Sequence, residues 1–435
     1  MSALPLPGAA DAHAGGDPLD AFRWPTGDYT RTPYRVFTDA AIHEREMERI
    51  FRGPTWSYLA LEAEIAEPGS FKLVQVGNVP VVVSRDMQGK VRAFVNRCAH
   101  RGAQVVRQEF GRAENHACIY HQWNYDSAGN LCGVPYRRGL NGCGGYPADF
   151  KPAQHGLQKL RVALYKGVVF GTFSNDAPPL VDYLGPNIVA HLDRILVKPL
   201  KVLGYHRQRI SANWKLYFEN IKDPYHAGLL HTFMATFGVY RSTQKGHTLL
   251  SPGGGHAVVY SVTNTDSTES VVEAYKGTDN KYQADFALKA PQLLQWEPDF
   301  HDGIGNLIVS VFPNMVVHQI LNTLATRQVR PLGPDALELY WTYFGFEDDA
   351  AERTAARLQQ LNLVGPAGYI SMEDGEAIRL VQQSIRGEAA GAASFIEMGG
   401  RGPIEDADHV VTEVCTRGFW QQYARTMGFS PEAPQ

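Results

Sequence analysis

The chain of 435 residues is 44% hydrophobic and 20% charged, as expected of an ordinary globular protein with two or three domains. Its net charge of −4 gives no indication of nucleic-acid or membrane-surface binding, and no run approaches the ~18 apolar residues of a membrane span. The N-terminus lacks the basic and apolar regions of a signal peptide, so we predict a cytoplasmic protein without nucleic-acid or membrane partners.

The order of the predicted elements divides the chain into three parts. Residues 1–50 begin with a leader rich in Pro, Gly and Ala, and we expect a helix at its end to pack on the largest domain. Residues 51–175 contain short β-branched and aromatic runs separated by turn residues, such as FKLVQV, VPVVVS and VRAFVN. Residues 176–435 mix helical periodicity with strand-like runs, which predicts an antiparallel sheet covered by helices and an α+β fold. No G-x-G-x-x-G follows a strand, so no dinucleotide-binding domain is predicted.

Two Cys/His pairs lie inside the small β domain. The spacing is Cys98-x-His100, then seventeen residues, then Cys118-x-x-His121, and each pair falls in a loop between predicted strands. A zinc site is one interpretation, but zinc fingers usually place both cysteines first and carry the histidines on a helix. One Cys and one His per loop suits a [2Fe–2S] cluster in which two thiolates hold one iron and two imidazoles hold the other. Four unrelated polar residues are the remaining alternative.

The other cysteines, Cys132, Cys143 and Cys415, have no matching histidines. Five cysteines are too few, and odd in number, for a secreted disulfide framework. We interpret these three as ordinary small apolar residues.

A second group of metal-binding residue types lies in FENIKDPYHAGLLH, residues 218–231. It offers Asp223, His226 and His231, and two histidines with a carboxylate on one side of non-haem iron leave positions open for O₂ and substrate. The two histidines are five residues apart, about 140° on an ideal helix, so a π-type widening or a helix end must lie between them if both bind one metal. The alternatives are a helix N-terminus at Asp223-Pro224 and two core histidines.

Both regions resemble the aromatic ring-hydroxylating oxygenases that contain a Rieske [2Fe–2S] domain. The first loop of that family commonly reads Cys-x-His-Arg-Gly and the second Cys-x-Tyr-His-x-Trp, and both patterns occur here, at 98–102 and 118–123. The stretch Asn220-x-x-Asp223-x-x-His226-x₄-His231 closely resembles the mononuclear-iron motif of the same family.

The resemblance implies a role for each residue of these motifs. It implies that residues 51–175 form a Rieske domain whose cluster is held by Cys98, His100, Cys118 and His121. It implies mononuclear Fe(II) in a catalytic domain at residues 176–435, with His226 and His231 as ligands. Asp223 is expected between this iron and the Rieske centre of a neighbouring subunit, with His121 as its partner there. Asn220 is expected near the iron without binding it.

The third iron ligand is expected to be a distant carboxylate. In the family it follows a Gly-Pro-Ala-Gly stretch by a few residues, and this chain has GPAGYISMEDGE at 365–376. The resemblance places the ligand at Asp374, with Glu373 as the adjacent alternative and Glu376 nearby. Ser371-x-x-Asp374 is also a capping-box pattern, which would start a helix at that point.

The similarity to the family runs from about residue 30 to the C-terminus. Stretches such as ENIKDPYH, IEMGG and RGFW resemble the large subunits of oxygenases that act on terephthalate, salicylate and anthranilate. The resemblance implies an α subunit in a trimer of α subunits, with a trimer of small β subunits beneath. It also implies hydroxylation of an aromatic carboxylate by O₂, with NAD(P)H electrons arriving through a separate reductase, with or without a ferredoxin.

The substrate class depends on the placement of arginines. Arg327, in a strand-like stretch, matches an arginine that holds a carboxylate in the terephthalate enzyme, and a guanidinium suits a carboxylate bidentately. The position of that enzyme's second arginine falls near Val410, which favours a monocarboxylate such as salicylate or anthranilate over a dicarboxylate. Arg417 is the fallback for a second cation. A structural role is the alternative for both arginines.

Two other functions remain as alternatives from the sequence. The first is a Rieske monooxygenase of the O- or N-demethylase kind, which lacks a β subunit and releases formaldehyde. The second is an electron carrier whose large domain only docks partners, without iron at His226, His231 and Asp374.

Overall fold

The computed structural model describes residues 18–263, 265–278, 286–389 and 391–431. The predicted leader therefore lies largely outside the described residues, and the domain limits at 50/51 and 175/176 stay predictions. None of the helices in the described ranges combines the length and the apolar character needed to cross a bilayer.

The N-terminal segment pairs with elements from the far end of the chain. Its elements are β1 (Arg23–Trp24), β2 (Arg31–Pro33), α1 (Arg35–Thr38), α2 (Ala40–Glu46) and a π-helical turn (Met47–Phe51). The carboxylate of Glu46, at the end of α2, is fully buried and accepts hydrogen bonds from Lys215 Nζ, Trp214 Nε1 and the Tyr423 hydroxyl. One buried carboxylate thus joins three distant stretches of sequence.

The small β module is built from short antiparallel strands. They are β3 (Ser57–Leu61), β4 (Ser70–Val76), β5 (Val79–Arg85), β6 (Val91–Val95), β7 (Phe110–Arg112), β8 (Asn115–Ala117), β9 (Asn124–Asp126), β10 (Leu131–Gly133), β11 (Arg161–Tyr165) and β12 (Val168–Thr172). The sheet orders are β6-β5-β4-β7, β10-β9-β8 and β11-β12-β3. The three runs that the sequence predicted as strands form β4, β5 and β6. Gly77 turns the chain between β4 and β5 with φ +57°, where a side chain would meet Phe51.

The larger part of the chain is organised around one antiparallel sheet. Its strands are β13 (Leu200–Ile210), β14 (Gly246–Leu250), β15 (Ala257–Val262), β16 (Ile304–Val311), β17 (Met315–Ile320), β18 (Thr323–Gly333) and β19 (Ala336–Phe346). The strand order is β13-β19-β18-β17-β16-β15-β14. This sheet and the β module confirm the predicted α+β class.

Helices cover both faces of the seven-stranded sheet. They are α3 (Leu180–Leu184), α4 (Pro186–Ile195), α5 (Trp214–Asn220), α6 (Pro224–Leu230), α7 (Thr232–Phe237), α8 (Thr268–Tyr275), α9 (Ala351–Val364), α10 (Tyr369–Ser384) and α11 (Val414–Met427). The remaining short strands are β20 (Ala393–Phe395), which pairs with β2, and β21 (Ser430–Pro431), which pairs with β1.

The alternation of side chains along the strands separates two cores. On one face, Leu307 and Val309 pack with Ile188 and Leu192 of α4. On the opposite face, Val316 and Trp341 belong to the core that contains Trp214 of α5 and Phe419 of α11. Arg327 of β18 lies opposite Val316 and Trp341 in the strand register, so its side chain emerges on the α5 face.

Candidate redox and metal sites

The two Cys/His loops have the same backbone geometry. The first follows β6 and the second connects β8 to β9. In each loop the cysteine N–H donates to the carbonyl five residues later, at Ala103 and at Trp123. In each loop the cysteine carbonyl accepts a hydrogen bond from the N–H four residues later, which belongs to Gly102 in the first loop and Gln122 in the second. Both of these residues have positive φ. The backbone therefore holds two equivalent ligand loops.

The two histidines of these loops lie side by side, and the two cysteines contact each other. Cys98 and Cys118 are free and buried. The rings of His100 and His121 lie 4.6 Å apart, and His100 stacks on Trp123 at 4.9 Å. The buried Nδ1 of His100 has no hydrogen-bond partner among the described residues. Two thiols and two imidazoles, one of them with a ring nitrogen that has no partner among the described residues, are the donor set that a Rieske [2Fe–2S] cluster requires.

Tyr125, which the sequence did not single out, lies beside this donor set. Its hydroxyl is 3.3 Å from Cys98 Sγ and accepts a hydrogen bond from the Ala99 N–H at 3.0 Å. The alternating pattern of β9 predicts only that Tyr125 is buried, so the sequence contained no signal for this contact. The remaining cysteines lie elsewhere, Cys415 buried and Cys132 and Cys143 exposed.

A break between two short helices brings the histidines of the second site together. Helix α6 ends at Leu230, α7 begins at Thr232, and His231 between them is non-helical, with φ −90° and ψ 77°. The rings of His226 and His231 consequently lie 5.4 Å apart. The sequence analysis required either a π-type widening or a helix end between the two histidines, and the structure has the helix end.

The two carboxylate oxygens of Asp223 have different contacts. Oδ1 caps α6 by accepting from the Tyr225 N–H at 2.8 Å and the His226 N–H at 3.4 Å. Oδ2 lies 3.4 Å from Nδ1 of His226. Asp223 therefore caps α6, as the alternative interpretation predicted, and also lies beside His226.

Asp374 approaches both histidines from α10. Its Oδ1 lies 3.3 Å from Nε2 of His226 and 3.1 Å from Nε2 of His231, and it accepts from Asn220 Nδ2 at 3.0 Å. The three potential donor atoms lie within 4.8 Å of one another. The capping-box alternative is wrong, because α10 begins at Tyr369 and Ser371 lies inside it.

A carboxylate lies near Nδ1 of each ring, and at His231 it is close enough for a hydrogen bond. Glu373 Oε2 lies 2.7 Å from Nδ1 of His231, as Asp223 lies near Nδ1 of His226. Burial alone would lower the pKa of His226, but Asp223 and Asp374 raise it to about 10. Burial would raise the pKa of the Asp374 carboxyl, but the two nearby histidines lower it below its ordinary value. The Nε2 atoms of both histidines face the Asp374 carboxylate, and their Nδ1 atoms face Asp223 and Glu373 on the other side of the rings. This arrangement fits a 2-His-1-carboxylate metal site.

A cleft of about 630 Å³, open to solvent, begins at this donor set. Its walls are largely apolar and come from α5 to α7, α10 and the sheet face that carries Arg327. The lining residues beyond the donor set are Asn220, Ile221, Asp223, Pro224, Ala227, Met234, Tyr240, Val259, Tyr260, Ser261, Asn306, Ile308, Ile320, Arg327 and Ile370. A mostly apolar cleft with few polar groups suits a small aromatic molecule.

The arginines of the sequence analysis have different surroundings. Arg327 is 5% exposed, lines the cleft, and donates to His318 Nδ1 at 2.6 Å and to the Tyr217 hydroxyl at 2.7 Å. Val410 is buried in an apolar cluster with Tyr240, Ile320 and Ile370, which also line the cleft. Arg417 donates to three backbone carbonyls outside the cleft, which favours its structural role.

Comparison with protein families matches both halves of the chain. Residues 55–144 match the Rieske [2Fe–2S] domain, and residues 197–428 match the catalytic domain of the ring hydroxylating alpha subunit. The second match covers the cleft and its donor set, and leaves no support for a protein that only carries electrons.

Three similar proteins each align with nearly the whole chain. The anthranilate 1,2-dioxygenase large subunit of Burkholderia cepacia is 48% identical, over 96% of this chain and 98% of that protein. The terminal oxygenase subunit alpha 2 of terephthalate 1,2-dioxygenase from Comamonas sp. is 44% identical, over 94% and 98%. The large oxygenase component of salicylate 5-hydroxylase from Ralstonia sp. is 40% identical, over 93% and 96%.

A solved structure of similar fold is naphthalene 1,2-dioxygenase from Rhodococcus sp. bound to indole. It superposes with a TM-score of 0.76 at 25% identity, over 91% of this chain and 94% of that one. Together with the convergent donor sets, these matches show that the chain belongs to the family of ring-hydroxylating oxygenase α subunits, oxidoreductases with a Rieske [2Fe–2S] cluster and mononuclear iron as cofactors.

Proposed function

We propose that this α subunit hydroxylates an aromatic monocarboxylate and that Arg327 binds the carboxylate. The observation that carries the proposal is a buried guanidinium in the wall of the cleft that begins at the metal-binding donor set. A buried cation is costly unless an anion or good hydrogen-bond acceptors accompany it. A substrate carboxylate provides both.

The neighbours of Arg327 orient its side chain without neutralising it. Within the described part of the chain it forms hydrogen bonds with His318 and Tyr217 but no ion pair with a carboxylate. Its guanidinium carbon lies 4.2 Å from the centroid of the Trp341 ring. Burial and Arg327 hold the pKa of His318 well below its usual range, so His318 is a neutral acceptor. The positive charge therefore remains available to a ligand.

The number of cations in the cleft supports one carboxylate rather than two. Among the described residues that line it, Arg327 is the only Lys or Arg. Val410, at the predicted position of a second arginine, contributes to the apolar cluster beside the cleft. A second ionised carboxylate would lose water without gaining a cation. This supports the same preference that the sequence suggested, for salicylate- or anthranilate-type substrates over terephthalate.

We further propose that His226, His231 and Asp374 hold the mononuclear iron and that Asn220 positions Asp374. The cluster ligands are proposed to be Cys98, His100, Cys118 and His121. When bound, the cluster supplies single electrons and the iron provides open positions at which O₂ is activated beside the substrate. The protein supplies orientation of the ring, through Arg327 and the apolar walls, and exclusion of water.

The proposed assembly is a trimer of α subunits with small β subunits. In it, Asp223 would connect the iron site of one subunit to His121 of the neighbouring Rieske domain. The 22% exposure of the Asp223 side chain is compatible with a contact made only in the trimer. Electrons would come from NAD(P)H through a reductase, with or without a ferredoxin.

A single-turnover experiment tests the function. Reduced protein with cluster and iron is mixed with O₂ and one aromatic acid, and the mass of the product is measured. The acids are salicylate, anthranilate, benzoate, terephthalate and a methoxybenzoate. Added oxygen on a monocarboxylate supports the proposal. Turnover of terephthalate alone contradicts the monocarboxylate preference, and formaldehyde from methoxybenzoate indicates a demethylase instead.

The role of Arg327 is tested by binding without O₂. Arg327→Gln keeps a donor but removes the charge, so benzoate should bind about 10- to 100-fold more weakly. Benzamide has the same shape without the charge, and its affinity should change little. Equal losses for both ligands would mean that Arg327 shapes the cleft and does not bind the carboxylate.

A further inference from the structure

Two polar residues in the cleft wall have hydrogen-bonding atoms without a partner in the part of the chain that the structure describes. Ser261 of β15 and Asn306 of β16 lie directly opposite each other in the strand register, and both line the cleft. Ser261 is 0% exposed and Asn306 is 6% exposed. Ser261 Oγ and Asn306 Oδ1 are buried and have no hydrogen-bond partner among the described residues. An unpaired buried acceptor costs about 1–3 kcal/mol, so the pair calls for a ligand.

The orientation of the Asn306 amide determines which kind of ligand it can bind. Its Nδ2 donates to the Val239 carbonyl oxygen. The reversed amide would set its own oxygen against that carbonyl, so Oδ1 is the atom left free. An amide oxygen only accepts, while the Ser261 hydroxyl donates or accepts. The pair therefore matches a group that carries at least one N–H or O–H.

The strand register locates this pair relative to the guanidinium of Arg327. That guanidinium contacts His318, which lies opposite Ile308, two residues along β16 from Asn306. Two residues of a strand span about 7 Å, close to the width of a substituted benzene ring. The apolar side chains of Ile308 and Ile320 line the cleft between the two polar positions. A ring can thus have its carboxylate at Arg327 and a donor substituent at Asn306.

We propose that Asn306 and Ser261 form a substrate subsite that recognises an amino or hydroxyl group on the aromatic ring. The inference rests on the proposed function, because it takes the carboxylate at Arg327 as the anchor of the same ring. An ionised second carboxylate at this position would face an acceptor oxygen and no cation. An apolar substituent would offer no hydrogen bond to Ser261 Oγ or Asn306 Oδ1, neither of which has a partner among the described residues.

Matched ligand pairs test the subsite in the unaltered protein. Anthranilate is compared with 2-methylbenzoate, in which a methyl group of similar size replaces the amino group, and the 3- and 4-substituted isomers are compared likewise. Affinity is measured without O₂, by calorimetry on the α subunit carrying its cluster and iron. We expect the amino ligand of at least one pair to bind about 10- to 100-fold more tightly. Ratios near one for all three pairs would overturn the proposal.

Variants locate the effect. Asn306→Leu and Ser261→Ala should each reduce the amino-to-methyl affinity ratio, the first to near one. Ile308→Val, which alters the same wall without a polar atom, should affect both members of a pair equally. An undiminished ratio in both Asn306→Leu and Ser261→Ala would overturn the assignment. If Asn306→Leu loses its metals or fails to fold, Ser261→Ala and the ligand ratios of the unaltered protein still decide.

The test separates failure of the subsite from failure of the anchor. The amino-to-methyl ratio reports on Asn306 and Ser261, because both ligands carry the same carboxylate. The benzoate-to-benzamide comparison in Arg327→Gln reports on the anchor. A ratio that depends on Asn306 while Arg327→Gln has no effect supports the subsite and contradicts the carboxylate anchor. A charge effect at Arg327 with amino and methyl ligands equal contradicts the subsite alone.

Discussion

Glu373 lies 2.7 Å from Nδ1 of His231, while the adjacent residue Asp374 faces Nε2 of the same ring at 3.1 Å. Neighbouring residues of one helix thus contact opposite nitrogens of one imidazole. The carboxylate outside the donor set fixes the ring tautomer and its orientation, and such partners are generally worth 10- to 100-fold in metal affinity, roughly. Glu373, an alternative ligand in the sequence analysis, is placed instead to support His231.

We therefore expect Glu373→Gln to lower iron affinity about 10- to 100-fold without changing the Rieske spectrum. Iron retained after dialysis against a weak chelator is the measurement. Glu376→Gln is the matched control, because Glu376 is exposed on the same helix and pairs with Arg379. Equal retention by the two variants would remove Glu373 from this role.

Loss of one histidine should separate the two metal centres. His226→Ala should abolish mononuclear iron and turnover and keep the cluster colour, because the donor sets share no residue. His121→Ala should lose the cluster spectrum. His155→Ala, in the same β module but outside the donor set, should keep both. The metals are followed by iron and sulfide content, and a normal Rieske spectrum in His121→Ala would exclude His121 as a ligand.

Substitutions of Asp223 distinguish helix capping from electron transfer. Asn caps a helix about as well as Asp, whereas Ala loses about 1 kcal/mol of stability. We expect Asp223→Asn and Asp223→Ala to retain both metals and to block reoxidation of the cluster in a single turnover. Only Asp223→Ala should lower the melting temperature. Near-normal reoxidation in Asp223→Asn would contradict the bridging role.

The Tyr125 hydroxyl should raise the reduction potential of the cluster. Its position 3.3 Å from Cys98 Sγ favours the more negative, reduced state through a hydrogen bond to sulfur. We expect Tyr125→Phe to lower the potential by on the order of 50 mV, which corresponds to about 1 kcal/mol for one electron. Tyr136→Phe, at an exposed position of the same module, is the control. A redox titration that finds an unchanged potential would contradict the bond.

His256 should make stability depend on pH below neutrality. Burial and nearby Lys222 lower its pKa to about 3, and its ring accepts from the Phe312 N–H and donates to the Tyr183 carbonyl. In the unfolded chain His256 takes up a proton near pH 6.5, whereas in the folded protein it stays neutral at that pH. The contribution of neutral His256 to the free energy of unfolding is therefore fully present above pH 6.5. It decreases by up to about 1.4 kcal/mol per pH unit as the pH falls from 6.5 toward 3.

The effect of His256 is measured by thermal unfolding between pH 4 and 7, roughly the range in which the two states differ in protonation. His256→Gln, which can donate and accept without titrating, should show a shallower dependence of melting temperature on pH than the native protein. His301→Gln, at an exposed position, should follow the native slope. Parallel slopes for all three proteins would contradict the assignment.

Short, contiguous patterns predicted much of the molecule. The Cys/His loops and strands β4 to β6 depend on residues close in sequence, and the structure contains them as expected. The two histidines and Asp374 also meet, although their roles as ligands stay a prediction. The resemblance was needed for Asp374, because no local rule connects α10 to α6.

Long-range contacts account for what the sequence could not predict. The start of α10 is an example, because Ser371 Oγ pairs with Gln208 of β13 and is not free to cap a helix. Gly368 precedes the helix where a Cβ would lie 2.5 Å from the Leu363 backbone. The pairing of Ser261 with Asn306, and of Tyr125 with Cys98, likewise depends on tertiary packing that periodicity does not encode.

The convergence of α5 and α6 with α10 has a consequence for folding. Asn220 and Asp374, which touch beside the donor set, are 154 residues apart in the chain. A metal held there acts as a cross-link that closes a long loop, and such a link restricts mainly the unfolded chain. Iron would thus tie the helices of the cleft into one cooperative unit. Removal of iron should loosen α10 first, visible as faster amide exchange in that helix while the central sheet remains protected.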